Sequence, residues 1–261
     1  MFRPHARPED HRLAGELASE AGLLLTDLRT ELVAAGADAA TLRAEGDRRA
    51  HALLMARLAE AVPADAVLSE EGDAETGSHG TARLTADRVW IIDPLDGTRE
   101  YGEPPRADWA VHVALVIRGV AEAGAVALPA QRITLTSLPA PPLPGPPPSR
   151  PRVIVSRSRP PEVAAVLTDA LGGDLVEMGS AGAKVGAVIL GAADVYAHAG
   201  GQYEWDSAAP VAVAAAAGLH VSRLDGSPLV YNNADPYLPD LLVCHPALAE
   251  AVLRVTARGA A

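Results

Sequence analysis

The chain has 261 residues, 49% of them hydrophobic, enough for one large domain or two layered units sharing a core. It carries 22 Lys and Arg against 33 Asp and Glu, a formal charge of −11, and so lacks the positive field that draws proteins to DNA or RNA polymers. An anionic ligand needs its charge met by something else, and carboxylate-bound divalent cations would meet it.

Met1 to His5 lead into an amphipathic stretch rather than an apolar signal core. No uninterrupted apolar segment reaches about 18 residues, so a soluble cytoplasmic protein without a membrane partner is expected. Leu13, Leu17, Ala21, Leu24, Leu25, Leu28 and Leu32 recur at three- and four-residue steps and predict a helix over 9–35. A second is predicted over 47–61, with Leu53, Leu54 and Leu58 inward and Pro63 stopping it. A short strand over 67–69 runs into Glu70-Glu71, and a buried strand over 88–92 runs into Asp93-Pro94. Two acidic clusters thus fall at strand ends.

Runs over 109–118, 122–128 and 131–138, parted by Gly and Pro-Ala breaks, suggest an antiparallel meander. The Pro-rich stretch 139–151 has no apolar periodicity and reads as an exposed, semi-rigid linker. Strands over 153–155, 174–178, 194–197, 219–222 and 241–244 then alternate with helices over 161–171, 180–190, 206–217 and 246–257. The first half, 1–138, reads as α+β and the second, 152–261, as α/β, with sheets between helix layers. Cys244, the single cysteine, lies in an apolar run and is expected to pack as a small hydrophobe.

Asp93 and Asp96 flank Pro94-Leu95. Proline fixes one backbone angle there, so both carboxylates can turn toward a common point, where they repel unless a cation lies between them. Gly97-Thr98 opens a short helix whose free N–H groups would face an anion such as a phosphate. The plain alternative is an Asp turn and helix cap after a buried strand. Asp206 could likewise be an N-cap, and Lys184 could reach solvent past an Ala-rich face. His198 could contact substrate or be a loop residue without a role.

The run from Trp90 to Thr98 resembles the first signature of the inositol monophosphatase superfamily of magnesium-dependent, lithium-sensitive phosphatases. Trp205-Asp206-Ser207-Ala208-Ala209 resembles the second, and Ser69-Glu70-Glu71 and Asp47 match its other acids. The resemblance implies a layered α-β-α-β-α sandwich and often a homodimer. Glu70, Asp93 and the Leu95 carbonyl would hold one magnesium, and Asp93, Asp96 and Asp206 a second, with a weaker third near Glu70 and Asp47. Thr98, Asp47 and Glu70 would orient and deprotonate the attacking water.

Residues Gly179 to Lys184, Glu204 to Pro210 and the Asp225-Gly226-Ser227-Pro228-Leu229 turn look more like the 3'(2'),5'-bisphosphate nucleotidases of the CysQ type. That implies a small phosphorylated nucleotide, 3'-phosphoadenosine 5'-phosphate, cleaved to AMP, with the sulfated relative as a second substrate and a place in sulfur metabolism. Gly97, Thr98, Ser180, Lys184, His198 and Asp206 would contact it. The chain departs from the nucleotidases in having Arg43 in place of a Lys and Tyr196-Ala197-His198 in place of Tyr-Pro-Arg. An inositol-1-phosphate or broad sugar-phosphate phosphatase is the alternative enzyme, and a silent nucleotide-binding module the alternative of another class.

Overall fold

The computed structural model describes residues 5–72 and 80–259. Most of the N-terminal lead-in, residues 1–4, lies outside them. Two long helices open the chain, α1 (Pro8–Ala34) and α2 (Ala39–Ala61). The first sheet holds β1 (Ala66–Ser69), β2 (Arg88–Asp96), β3 (Ala110–Ile117), β4 (Val120–Leu128) and β5 (Ile133–Thr136), in that spatial order. β1 runs parallel to β2, while β2 to β5 form the expected antiparallel meander. A single turn of helix, α3 (Thr98–Tyr101), follows β2.

The second sheet is built from β6 (Arg152–Ser156), β7 (Asp174–Met178), β8 (Val195–Tyr203), β9 (His220–Ser222) and β10 (Tyr237–Cys244), ordered β7-β6-β8-β10-β9. Its helices are α4 (Glu162–Leu171), α5 (Ala181–Ile189), α6 (Glu204–Ala216) and α7 (Pro246–Gly259).

Side chains alternate across a strand, so each buried strand feeds two cores. Trp90 and Ile92 of β2 pack under α1 and α2, whereas Val89 and Ile91 face α5 and α6. Ile154 of β6 joins that same central core, while Val153 and Val155 turn to α4 and α7. Three apolar cores therefore hold together five layers, α-β-α-β-α, the central core filling both sides of α5 and α6. Cys244 is buried in the third core, as its apolar run implied. Polar bonds fix the outer layer: Arg88 of β2 pairs with Asp10 of α1 at 2.8 Å and with Asp65 at 3.0 Å.

Several predicted boundaries shift. α2 begins eight residues before Asp47, because Asp38 caps it by accepting from the Thr41 N–H at 2.8 Å. Asp47 thus lies inside the helix. β2 does not stop at Ile92: pairing with β3 continues at Asp93, slips, and resumes at Asp96 opposite Ala110. Pro94, which has no N–H for the ladder, falls within the slip. β8 runs on to Tyr203 and β10 starts at Tyr237, since the two pair antiparallel along that length. His198 and the Gly200-Gly201-Gln202 run accordingly sit on a strand that continues past 197, so His198 is not the loop residue the sequence offered as one reading.

Candidate active site

A cleft of about 390 Å³ opens between the halves, lined by Glu70, Asp93, Leu95 to Glu100, Ser180, Lys184, His198 and Asp206 among others. The ladder slip in β2 turns Asp93 and Asp96 toward one point, and α6 brings Asp206 to it from the other half. One carboxylate oxygen from each of the three lies within 4.8 Å of the others. Asp93 is buried, and its Oδ1 accepts from the Leu95 N–H at 3.0 Å. Asp206 Oδ2 accepts from the Tyr203 N–H at 2.6 Å, so from the third position of α6 it closes a capping box while facing the cleft; the N-cap is Tyr203, not Asp206.

Glu70 is exposed as a residue, yet enough protein surrounds its carboxyl that burial, opposed by a hydrogen bond with Asp93 and aided by Asp206, Asp96 and Asp47, pushes it up to about 7. Burial and then Glu70 raise Asp93 well above the carboxylate range. Burial and then Asp96 lift Asp206 to about 6. Two carboxyls share a hydrogen bond only when one holds a proton, and acids this crowded stay ionised only with a cation among them. The donor set is all oxygen, which suits a hard divalent cation such as magnesium.

Asp47 is raised to about 7 by burial and by Glu71. The Thr98 hydroxyl donates to the Leu95 carbonyl at 2.9 Å and lies 3.5 Å from Asp47 Oδ1. Gly97 adopts φ +83, and a Cβ there would stand 3.0 Å from Ser180 Cβ and 3.1 Å from the Asp108 carbonyl oxygen. Only glycine meets both demands at low cost.

Asp96 differs from its neighbours. Burial alone would raise it, but His112, Lys184 and the Ser180 hydroxyl hold it low. Ser180 Oγ donates to Asp96 Oδ2 at 2.5 Å, and the N–H groups of Ala181 and Gly182 donate at 3.1 and 2.6 Å. Ser180 itself is strained at φ +52 while it caps α5 through the Ala183 N–H. Lys184 is 4% exposed, its Nζ donating to the Ser180 carbonyl at 2.6 Å and lying 5.3 Å from the centre of the Tyr196 ring. The solvent-reaching alternative for Lys184 is therefore wrong: its Ala-rich helix is buried on every side. His198 Nε2 bonds the Gly201 carbonyl at 2.9 Å.

The structure thus gathers Glu70, Asp93, Leu95, Asp96, Gly97, Thr98, Ser180, Lys184, His198 and Asp206 around one cleft, with Asp47 behind Thr98. It adds residues that sequence reasoning missed. His112 of β3, 1% exposed, donates from Nδ1 to the Trp205 carbonyl at 3.0 Å and sets Nε2 3.2 Å from Asp96 Oδ2. A histidine midway along an otherwise apolar strand was the available signal, because a buried polar group needs partners. Arg159 and Arg99 also line the cleft. The first comes from the loop after β6, which Arg157 ties to Glu100 at 2.6 Å and Glu103 at 2.8 Å.

The chain is similar to known proteins along most of its length. The family described as the inositol monophosphatase family matches residues 9–140 and 151–257, leaving out most of the Pro-rich stretch. The chain is 51% identical over 247 residues to the 3'-phosphoadenosine 5'-phosphate phosphatase of Mycobacterium tuberculosis (strain CDC 1551 / Oshkosh), covering 90% of this chain and 88% of that one. It is 30% identical over 202 residues to the 3'(2'),5'-bisphosphate nucleotidase CysQ of Escherichia coli (strain K12), covering 74% and 80%. Among solved structures, inositol monophosphatase II from Staphylococcus aureus MSSA476 superposes with a TM-score of 0.75 at 19% identity, over 94% of this chain and 91% of that one, a likeness of fold. Matched across both halves and in both sheets, the chain belongs to the inositol monophosphatase family.

Proposed function

We propose that this protein is a magnesium-dependent phosphatase that removes the 3'-phosphate of 3'-phosphoadenosine 5'-phosphate, giving AMP and phosphate, and also accepts the sulfated relative. The observation that carries the reading is the convergence of Asp93, Asp96 and Asp206 within 4.8 Å in a chain half identical to phosphatases named for that substrate. The family is metal-dependent, and the cluster of acids fits that requirement.

Glu70, Asp93, the Leu95 carbonyl, Asp96 and Asp206 are the ligands we assign, for two to three ions. Bound magnesium would supply a polarised attacking water and a stabilised leaving oxygen for in-line displacement. Asp47, raised to about 7, is placed to take a proton near neutral pH, with Glu70 assisting. Thr98, anchored on Leu95 and facing Asp47, orients the water. Gly97 lets the backbone approach the scissile phosphate, and Ser180, Lys184 and His198 line the nucleotide side. The division into a unit of 1–138 bearing most ligands, a linker of 139–151 and a substrate-selecting unit of 152–261 belongs to the same proposal. So do a cytoplasmic role in recycling a by-product of sulfation, inhibition by millimolar lithium and a homodimer.

One observation favours a second reading, an inositol-1-phosphate or broad sugar-phosphate phosphatase. The Lys184 ammonium is 4% exposed and already gives one of its three N–H donors to the Ser180 carbonyl, which leaves less of it to meet a second phosphate. Phosphate release from a panel of the nucleoside bisphosphate, its sulfated relative and inositol-1-phosphate, with magnesium and with chelator, tests both. Fastest release from the nucleoside bisphosphate, abolished by chelator, is expected. Faster release from inositol-1-phosphate would replace the first reading with the second.

A further inference from the structure

Aromatic side chains make up only 3% of the sequence. Among the described residues, just two of them are exposed, Tyr203 at 46% and Tyr237 at 47%. Both stand at the same place. They are register partners across β8 and β10, their rings meet edge to face with centroids 6.1 Å apart, and Tyr203 lines the cleft. Behind Tyr203 lies Trp205, 6% exposed, stacked on it with centroids 4.8 Å apart and planes 10° from parallel. The Tyr237 ring rests on the bare backbone of Gly201, a site that a Cβ would fill.

Burial is the default for a ring of this size, so two exposed rings braced by a third at a cleft mouth need a reason. The rings are rigid, backed and set beside the chemistry: the Tyr203 N–H donates to Asp206 Oδ2 at 2.6 Å. A flat apolar surface held at a fixed distance from a phosphate-cleaving centre suits a flat ligand group attached to that phosphate through a short sugar. Every nucleobase offers such a face, and stacking takes any of them with little regard to sequence of donors and acceptors. A cyclitol or open sugar phosphate offers none.

We infer that Tyr203, braced by Trp205 and Tyr237, is the platform on which the nucleobase of the substrate stacks, and that it sets the preference for nucleotides over sugar phosphates. This rests on the nucleotide reading above and adds a selecting residue to it. The platform accounts for base recognition without Lys184, whose ammonium is already engaged within α5.

The test compares the full-length magnesium-loaded wild type with Tyr203→Ala and Tyr203→Phe on the nucleoside bisphosphate and on the same sugar bisphosphate lacking its base. In Tyr203→Ala, kcat/KM for the nucleotide is expected to fall roughly 5- to 100-fold, the loss that removing one base–aromatic stack brings. The fall appears in KM and is much smaller for the base-free compound, while Tyr203→Phe behaves as wild type. Fluorescence of an ethenoadenine analogue of the product monophosphate is quenched on binding to wild type and Tyr203→Phe, and far less by Tyr203→Ala. Equal losses on both substrates, or undiminished quenching by Tyr203→Ala, would overturn the platform. Wild type that fails to hydrolyse the nucleoside bisphosphate at all would instead sink the nucleotide reading.

Discussion

One wall of the cleft is cut from a single run of chain, in which Asp93, Leu95, Asp96, Gly97 and Thr98 follow one another at the end of β2. The facing wall is gathered from three separate segments: the loop around Arg159, the start of α5 at Ser180, and the end of β8 leading into α6 at Tyr203 and Asp206. A contiguous wall keeps its geometry through local backbone constraint, as the β2 slip and the left-handed Gly97 do. A gathered wall depends on how the layers pack. The first suits chemistry that must hold its geometry, and the second, Asp206 apart, suits a substrate preference that packing can tune.

Substitutions can break this contrast. Asp93→Asn on the contiguous wall is expected to remove several kcal/mol of transition-state stabilisation, about a thousandfold in turnover or more, on every substrate alike, with an unchanged circular dichroism spectrum. Activity near wild type would refute the metal assignment.

Metal removal reads the acids of both walls, and Asp47 behind Thr98, through stability. Glu70, Asp206 and Asp47 rise from 4.5, 3.8 and 3.8 to about 7, 6 and 7. A carboxyl raised in the folded state favours folding while it is protonated, so its contribution is present below its unfolded value and lost as pH climbs through the folded one. Chelated protein should therefore lose stability between about pH 4 and 7, and added magnesium should restore it increasingly over that window. Thermal melts with magnesium and with chelator across pH check this, at roughly 2–4 °C for each kcal/mol. A magnesium effect that does not grow with pH would count against these acids as ligands.

The smallest expected effect belongs to the gathered wall. Lys184→Ala should lower turnover of the nucleoside bisphosphate about tenfold, the range of a charged hydrogen bond, and a simple monophosphate less. Equal losses, measured as kcat/KM on the two substrates, would make Lys184 a support for Ser180 and Asp96 rather than a phosphate contact.

The same contrast explains what could be read from sequence. The helices and the meander were legible because apolar spacing reports one buried face at a time, and the acids because five of the cleft residues are neighbours in the chain. The extension of β8 through Gly200 and Gly201 was not, since glycine pairs signal turns unless a partner strand is known, and that partner is β10, some 35 residues on. His112, Arg159 and Tyr203 escaped for a related reason. Each lies in an ordinary strand or loop context, and only the folding of β3, the β6 loop and β8 about the cleft gives it neighbours.

The middle layer has a consequence for how the protein tolerates change. α5 and α6 deliver Ser180 and Asp206 to the cleft from behind, and they lie close against the first sheet because small residues face each other there. A Cβ on Gly124 of β4 would stand 2.8 Å from both the Ala209 carbonyl oxygen and Ala212 Cβ, and one on Gly182 would collide with His112. The gauge of the cleft is thus set by the thickness of a slab packed through Gly124, Gly182, Ala209 and Ala212, none of which lines the cleft. Enlarging one of them would act like a shim, moving the helix that carries Asp206 or Ser180 while leaving the wall of Asp93 and Asp96 where it is.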